Sequence, residues 1–226
     1  MGEKRSPVHV PAEFGLQDVR IDVADRCFDG FLKIDRYTLQ CRLYEGGWSQ
    51  KFVREVLVRD PGIGVLLYDP VLDKVLMVEQ FRIGCLDDMH NGPWALELVA
   101  GLLEPDETAE SVARREAEEE SGVQVSRLLR ICEYYNSPGG SSEKLTVFCA
   151  LFDAAVTVAG IYGLETESEN IRSVILDRTT AVAAVSQGRI NNAMSIIALQ
   201  WLELNLTRVR EALLTNNEDE LTDPAV

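Results

Sequence analysis

The sequence predicts an α+β fold in which strands and helices pack as a sandwich. Three observations indicate this class: alternating polar and apolar residues early in the chain, apolar runs in its middle, and helix-like spacing near its end. The 226 residues, with 46% apolar content, suit one sizeable domain or a compact domain with a smaller one attached.

The first half of the chain is predicted to form strands. Residues 17–59 alternate polar with apolar or aromatic side chains, as in an antiparallel sheet, and Gly46 and Gly47 supply a turn. The runs IGVLLYD and KVLMVEQF, joined by DPVLDK, predict a hairpin of more fully buried strands. A further strand, WALELVAG, leads into an acidic segment.

The second half mixes strands with helices. Strands are predicted at VSRLLRICEYY, KLTVFCALF and IRSVILD, and helices at 179–187 and 193–212. The predicted organisation is therefore an N-terminal β subdomain over 1–59, a main domain over 60–212 and an acidic tail over 213–226.

Charge and composition argue against several classes of protein. The 37 acidic and 22 basic residues give a net charge of -15, which disfavours binding to nucleic acid or to an anionic membrane. No apolar run reaches the roughly 18 residues of a spanning helix, and the N-terminus lacks a signal-peptide core, so a cytoplasmic protein is expected. Five scattered cysteines without a CxxC pair argue against a disulfide framework or zinc ribbon and are expected to be small buried residues.

The acidic segment GLLEPDETAESVARREAEEESGV, residues 101–123, contains a predicted helix over 108–121. This helix begins at Asp106 or Thr108 and ends at Gly122. Its apolar residues recur at helical spacing and must face the core. They are Ala109, Val112, Ala113 and Ala117.

Two glutamates share this apolar stripe, because Glu116 and Glu120 each lie seven residues after one of its members. Glu119 borders them. Carboxylates clustered near a core cost several kcal/mol each unless they are compensated, and Arg115 cannot neutralise all three. A set of oxygen ligands favours a hard divalent cation such as Mg2+ or Mn2+. The alternative is a solvated acidic edge of the helix, where Glu110 and Glu118 point outward.

The spacing of this segment resembles the signature of the Nudix hydrolases. Gly101 is followed by Glu107 after five residues and by REAEEESGV after seven more, with Ala117 and Val123 at the two apolar positions. This family hydrolyses a nucleoside diphosphate linked to another moiety. The resemblance implies an α/β/α sandwich with a mixed sheet, preceded by the N-terminal antiparallel sheet.

From about residue 24 to 206 the chain looks like the ADP-ribose pyrophosphatase branch of that family. The similar segments are VEQFRIG, SPGGSSE, GLETESENIRS and INNAMSIIALQWLELN, and Pro138 lies fifteen residues beyond Val123. The branch implies a homodimer that hydrolyses ADP-ribose to AMP and ribose 5-phosphate. It also implies two or three Mg2+ (or Mn2+) ions in each active site.

The resemblance assigns metal ligands and catalytic residues. Glu167 is the implied general base; a register shift would make it Glu165, and Glu119 is the third possibility. Arg115 would orient Glu119 or Glu120, and Glu107 would either tie its loop to the helix or contact a metal ion. The implied metal ligands are the Ala100 carbonyl, Glu116, Glu119, Glu120 and Glu169.

The resemblance also assigns substrate contacts. Phe31 and Leu32 match positions that flank the adenine from the partner subunit, which fits an N-terminal sheet exchanged between two subunits. Arg82 matches a contact near the phosphates, and Glu143 one on the ribose side. The full set is Phe31, Leu32, Arg54, Glu55, Arg59, Arg82, Leu102, Ser137, Gly139 and Glu143.

Two rival functions stay open from the sequence. A related Nudix hydrolase of another sugar nucleotide, such as GDP-mannose, would share the SPGG loop. A non-catalytic Nudix-like domain would bind a nucleotide without cleaving it, and would normally show a damaged signature.

Overall fold

The computed structural model describes residues 10–214, apart from the side chain of Glu167, and divides them into two compact units. Of the described residues, the first unit contains 10–60 and Tyr135–Glu143, and the second contains Pro61–Tyr134 and 144–214. The predicted acidic tail begins within a helix that ends at Leu214, and residues 215–226 lie outside the described residues.

The first unit is a three-stranded antiparallel sheet, as the alternating pattern predicts. Its strands are β1 (Val19–Asp29), β2 (Lys33–Cys41) and β3 (Phe52–Val58), in that order. Gly46 and Gly47, with φ of 94° and 82°, form the predicted turn between β2 and β3.

The segment Tyr135–Glu143 joins the first unit through backbone hydrogen bonds to β3. The N–H of Leu57 donates to the Gly140 carbonyl (2.8 Å), and the N–H of Ser142 donates to the Leu57 carbonyl (3.0 Å). In the domain division predicted from the sequence, this segment lies in the main domain. Its pairing with β3, a strand about 80 residues earlier, leaves no local pattern from which it could be predicted.

The second unit contains a mixed sheet of eight strands. Its order is β10-β11-β5-β4-β9-β8, with β6 beside β5 and β7 beside β4. The β4–β9 pair is parallel, and β4 and β5 form the predicted antiparallel hairpin. The strands are β4 (Gly62–Asp69), β5 (Lys74–Phe81), β6 (Trp94–Glu97), β7 (Val99–Leu102), β8 (Leu128–Tyr135), β9 (Lys144–Leu151), β10 (Ile161–Tyr162) and β11 (Ile171–Asp177).

Helices cover both faces of this sheet, which confirms the α/β/α sandwich. The helices are α1 (Ala109–Ser121), α2 (Arg178–Ser186) and α3 (Ala193–Leu214). Alternate residues of β4 serve the two cores, as the strand period requires. Val65 packs in one cluster with Val112 of α1, and Leu66 packs in the other with Leu199 of α3.

The prediction of one continuous strand over WALELVAG is wrong, because the strand breaks at Leu98 into β6 and β7. The N–H of Leu98 donates to the Ser195 hydroxyl (3.1 Å), and the two halves pair with β5 and β4 respectively. The chain thereby crosses from one sheet neighbour to the next immediately before the acidic segment.

The structure bears on two expectations from composition, the burial of the cysteines and the lack of a membrane-spanning helix. Cys149 is buried, but Cys27 is exposed on β1 and the other three cysteines are half-buried, so the prediction of five buried cysteines is wrong. None of the described helices is long and apolar enough to cross a membrane.

Candidate active site

Helix α1 begins and ends where the sequence predicts. Thr108 is the N-cap: its hydroxyl accepts the N–H of Ser111 (3.1 Å), and the Ser111 hydroxyl accepts the N–H of Thr108 (2.9 Å). Gly122 follows the last turn with φ of 69°, a conformation that glycine adopts without strain. Both ends of the helix are therefore fixed by local interactions.

The orientation of α1 confirms the predicted acidic face. Val112, Ala113 and Ala117 are buried, Glu120 is 2% exposed, and the Glu116 side chain is 12% exposed. Glu119 borders them with a side chain that is 30% exposed, whereas Glu110 and Glu118 face solvent.

Glu120 is held between α1 and the sheet by two donors. The N–H of Ala100 donates to its Oε2 (3.0 Å), and Nε2 of Gln80 donates to its Oε1 (3.3 Å). Burial raises the pKa of Glu120 to about 8, the hydrogen bond from Ala100 opposes that rise, and the charge of Glu116 adds to it. Gln80 was not predicted from the sequence, although its polar side chain in an apolar strand was a signal.

Arg115 is the cation of this cluster. Its Nη1 donates to Glu116 Oε1 (2.7 Å) and to Glu119 Oε2 (3.1 Å), so its described contacts include Glu119 rather than Glu120. Its Nε donates to Glu107 Oε1 (3.0 Å), while Glu107 Oε2 accepts the N–H of Glu104 (3.2 Å). Glu107 thus ties the preceding loop to the helix, which is the first of the two roles that the sequence left open.

Gly101 lies directly against Glu116. A Cβ atom at this position would stand 1.7 Å from Glu116 Oε1, far inside van der Waals contact. The absence of a side chain at Gly101 therefore lets the carboxylate of Glu116 approach β7.

The acidic loop ETESE lies near the C-terminal end of α1. The N–H of Gly163 donates to the Glu119 carbonyl (3.3 Å), and Oε2 of Glu169 accepts the N–H of Leu164 (3.1 Å). Burial raises the pKa of Glu116, Arg115 opposes that rise, and the charges of Glu119 and Glu169 add to it. Glu169 therefore belongs to the same acidic cluster. Glu167 lies in a short 3-10 turn, and its side chain lies outside the described part of the structure.

Arg82, the predicted phosphate contact, is anchored to an acid that the sequence analysis missed. Its Nε donates to Glu97 Oε1 (2.6 Å). Glu97 ends β6 with a side chain 9% exposed, and burial raises its pKa while Arg82 opposes the rise. An acidic residue within the apolar run WALELVAG was the available signal.

The other predicted substrate residues lie mostly in the first unit. Phe31 is 90% exposed, with the Arg59 guanidinium 6.0 Å from its ring centroid, and Arg59 Nε lies 3.5 Å from Glu143 Oε1. These three residues are therefore brought together. Leu32, which follows Phe31 in the sequence, is also exposed. Leu102 is exposed at the end of β7 in the second unit.

The remaining predicted contacts are engaged elsewhere in the first unit. Glu55 accepts from Arg36 (2.6 Å), and Arg54 stacks over Phe52 (4.6 Å). The Ser137 carbonyl closes the turn of the SPGG segment by accepting from Gly140 and Ser141, and beyond its chain neighbours no atom lies within 4 Å of the position that a Cβ at Gly139 would take. Glu55 and Arg54 are thus each engaged by another residue of the sheet, whereas Gly139 leaves room beside the turn.

Within the described residues, no group of three or more His, Cys, Asp or Glu side chains is arranged to hold a metal ion. Arg115 and backbone N–H groups already take up the carboxylates in this conformation. The atoms that could bind a metal ion are nonetheless all oxygens, concentrated at the buried edge of one helix. This ligand chemistry fits a hard divalent cation.

The burial of Glu120 predicts a pH dependence of stability in metal-free protein. Its carboxyl has an ordinary pKa of 4.5 when unfolded and about 8 when folded. Between these values the folded protein holds a proton that the unfolded chain has lost, so the free energy of unfolding falls as pH rises from about 5 to 8. Urea unfolding in EDTA should show this fall, and Glu120→Gln should flatten it. Parallel curves for the two proteins would contradict the prediction.

Comparison with known proteins agrees with this architecture. The NUDIX domain family model matches residues 58–191. A solved structure described as an ADP compounds hydrolase superposes with a TM-score of 0.66 at 18% identity, over 87% of this chain and 99% of that chain, which shows a shared fold.

Curated relatives are similar over most of their length. The ADP-ribose pyrophosphatase of Escherichia coli (strain K12) is 41% identical over 88% of this chain and 94% of its own. That of Haemophilus influenzae is 37% identical over 88% and 92%. The GDP-mannose pyrophosphatase of Yersinia enterocolitica is 33% identical over 84% and 96%. This chain belongs to the NUDIX family, which confirms the resemblance that its signature predicted.

Proposed function

We propose that this chain is a metal-dependent hydrolase that cleaves the pyrophosphate of ADP-ribose to AMP and ribose 5-phosphate. The acidic face of α1 carries the proposal, because it holds Glu116 and Glu120 against the sheet in a chain 41% identical to an ADP-ribose pyrophosphatase. Buried carboxylates of this kind need a cation, and a pyrophosphate substrate needs one as well.

The proposed cofactor is Mg2+ or Mn2+, with two or three ions in each site. The ligands would be the Ala100 carbonyl, Glu116, Glu119, Glu120 and Glu169. When bound, such ions neutralise phosphate charge and lower the pKa of the attacking water.

The chain's own residues prepare this site. Arg115 holds Glu116 and Glu119 together against their mutual repulsion, and the N–H of Ala100 fixes one oxygen of Glu120. Glu167 is the proposed general base that takes a proton from the attacking water, with Glu165 and Glu119 as alternatives. Arg82 is proposed to contact the pyrophosphate, since guanidinium groups bind phosphate oxygens well.

The proposed adenine site uses Phe31 and Leu32 of a partner subunit in a homodimer. The whole length of β1 is exposed in a single chain, and a sheet needs a buried apolar face for independent stability. An aromatic side chain as exposed as Phe31 is available to stack on a base. The homodimer and a cytoplasmic location stay predictions.

GDP-mannose is the second candidate substrate, and the Yersinia relatives at 33–34% identity favour its inclusion. A non-catalytic nucleotide-binding role is less well supported, because the described acids of the signature all take part in the cluster around α1.

Product analysis tests the proposal. Incubation of the purified protein with ADP-ribose and Mg2+ should release AMP and ribose 5-phosphate in equal amounts, and EDTA should stop the release. Binding of ADP-ribose without either product would favour the non-catalytic role.

Gly101→Ala is expected to lower kcat because the added Cβ must displace the carboxylate of Glu116. A displacement of about 1 Å in a catalytic group can cost roughly 100-fold in rate. The protein should still fold, since the atoms that must move, Cγ, Cδ and Oε1 of Glu116, belong to one flexible side chain. Gly84→Ala is the matched control, because nothing lies within 4 Å of the position that its added methyl group would take, and it should keep parental activity. Equal turnover by both variants would contradict the proposed role of Gly101.

A further inference from the structure

Glu97 and Arg82 form an ion pair at the edge of the acidic cluster. The Arg82 Nε–Glu97 Oε1 distance of 2.6 Å is short, as expected for a charge-assisted hydrogen bond. The two side chains differ in burial: that of Glu97 is 9% exposed, and that of Arg82 is 43% exposed. The acid is thus fixed inside the protein, whereas much of the arginine remains accessible.

Stability alone does not account well for this pair. Removing two charges from water costs about as much as their attraction returns, so an apolar pair of similar volume is often as stable or more stable. Glu97 also occupies the end of a strand whose preceding residues, Ala95 and Leu96, are buried and apolar. A carboxylate at this position calls for another explanation.

The direction in which the Arg82 side chain points supplies an explanation for the buried carboxylate of Glu97. Arg82 follows β5 with extended backbone angles (φ -128°, ψ 112°), so its side chain emerges on the same face as that of Gln80 two residues earlier. Gln80 donates to Glu120 of α1 (3.3 Å), so this face of β5 is the one that α1 covers. The guanidinium therefore emerges on the same side of the sheet as the acidic face of α1.

The contact to Glu97 uses only one edge of the guanidinium. Among the described residues, Arg82 has a side-chain hydrogen bond through Nε alone. Anchoring Nε restricts rotation of the planar group and leaves the Nη1 and Nη2 donors for another anion. These donors form the fork that matches phosphate oxygens.

We propose that Glu97 is a positioning residue that fixes the guanidinium of Arg82 for contact with the substrate pyrophosphate. This inference rests on the proposed function, because it gives Arg82 a phosphate to bind. Glu97 itself does not touch the substrate.

A double-mutant cycle on kcat/KM for ADP-ribose tests the inference. Arg82→Met should lower kcat/KM by on the order of 100-fold, and Glu97→Leu by roughly tenfold, mainly through KM because the substrate already carries the phosphate charge. In the Arg82→Met background, Glu97→Leu should change kcat/KM by less than about twofold. Glu97→Gln keeps an acceptor oxygen for Nε and should restore much of the loss. If Glu97→Leu fails to fold, Glu97→Met, which has a side chain of similar length without an oxygen acceptor, takes its place in the cycle.

Glu79→Leu is the matched control. Glu79 lies beside Gln80 on β5, points to the opposite face and pairs with Arg172 (2.6 Å) and Arg189, so its loss should leave kcat/KM nearly unchanged. An equal loss from Glu97→Leu with and without Arg82, or no loss in either background, would overturn the positioning role while wild-type hydrolysis persists. A wild-type protein that does not cleave ADP-ribose would overturn the proposed function and, with it, this inference.

Discussion

Glu120→Gln is expected to lower kcat for ADP-ribose by roughly 100-fold or more, the scale found when one charge-stabilising group is removed from an active site. Glu116→Gln should have a similar effect. Each substitution keeps the shape of the side chain and removes the charge that would hold a cation. Steady-state kinetics at saturating Mg2+ measures both losses.

The loss should not come from unfolding. In metal-free protein burial raises the pKa of both Glu116 and Glu120, so ionising or protonating either carboxyl costs free energy that a glutamine does not require. Either variant should therefore be as stable as the parent or slightly more stable. Glu118→Gln is the control on the exposed side of the same helix, and it should keep parental activity. Near-parental turnover by Glu116→Gln or Glu120→Gln would show that α1 is not the metal site.

Glu167→Gln should remove most of kcat, by roughly 100-fold to 10,000-fold, with little change in substrate binding. A general base acts in the transition state, so its loss lowers kcat more than it raises KM. Glu165→Gln and Glu119→Gln are measured beside it. A larger loss from Glu165→Gln would shift the base by two residues, and harmless changes at both loop positions would assign it to Glu119.

The helix that carries the site could be predicted because its signals are local. Its cap, its terminal glycine and the 3.6-residue period together fix which side chains face the sheet, so Glu116 and Glu120 could be placed by counting from the apolar residues. The strands of the hairpin β4–β5 follow from equally local signals, which are their apolar runs and the turn residues between them.

The missed features depend on contacts between distant parts of the chain. Leu98 breaks its strand because Ser195, nearly a hundred residues later, accepts its N–H. The pairing of Arg82 with Glu97 and of Gln80 with Glu120 depends on which strands and helices become neighbours. No periodic pattern within one segment encodes such partners, so the acids and Arg115 on the helix could be predicted while Gln80 and Glu97 could not.

The most direct test of the account is a comparison of kcat/KM for ADP-ribose, ADP-glucose, GDP-mannose and NADH, each with Mg2+ and with EDTA. The account predicts the highest value for ADP-ribose, weaker cleavage of ADP-glucose, and loss of all turnover in EDTA. A higher kcat/KM for GDP-mannose would assign the chain to that substrate instead. Absence of turnover with every substrate in the presence of metal would contradict the hydrolase itself.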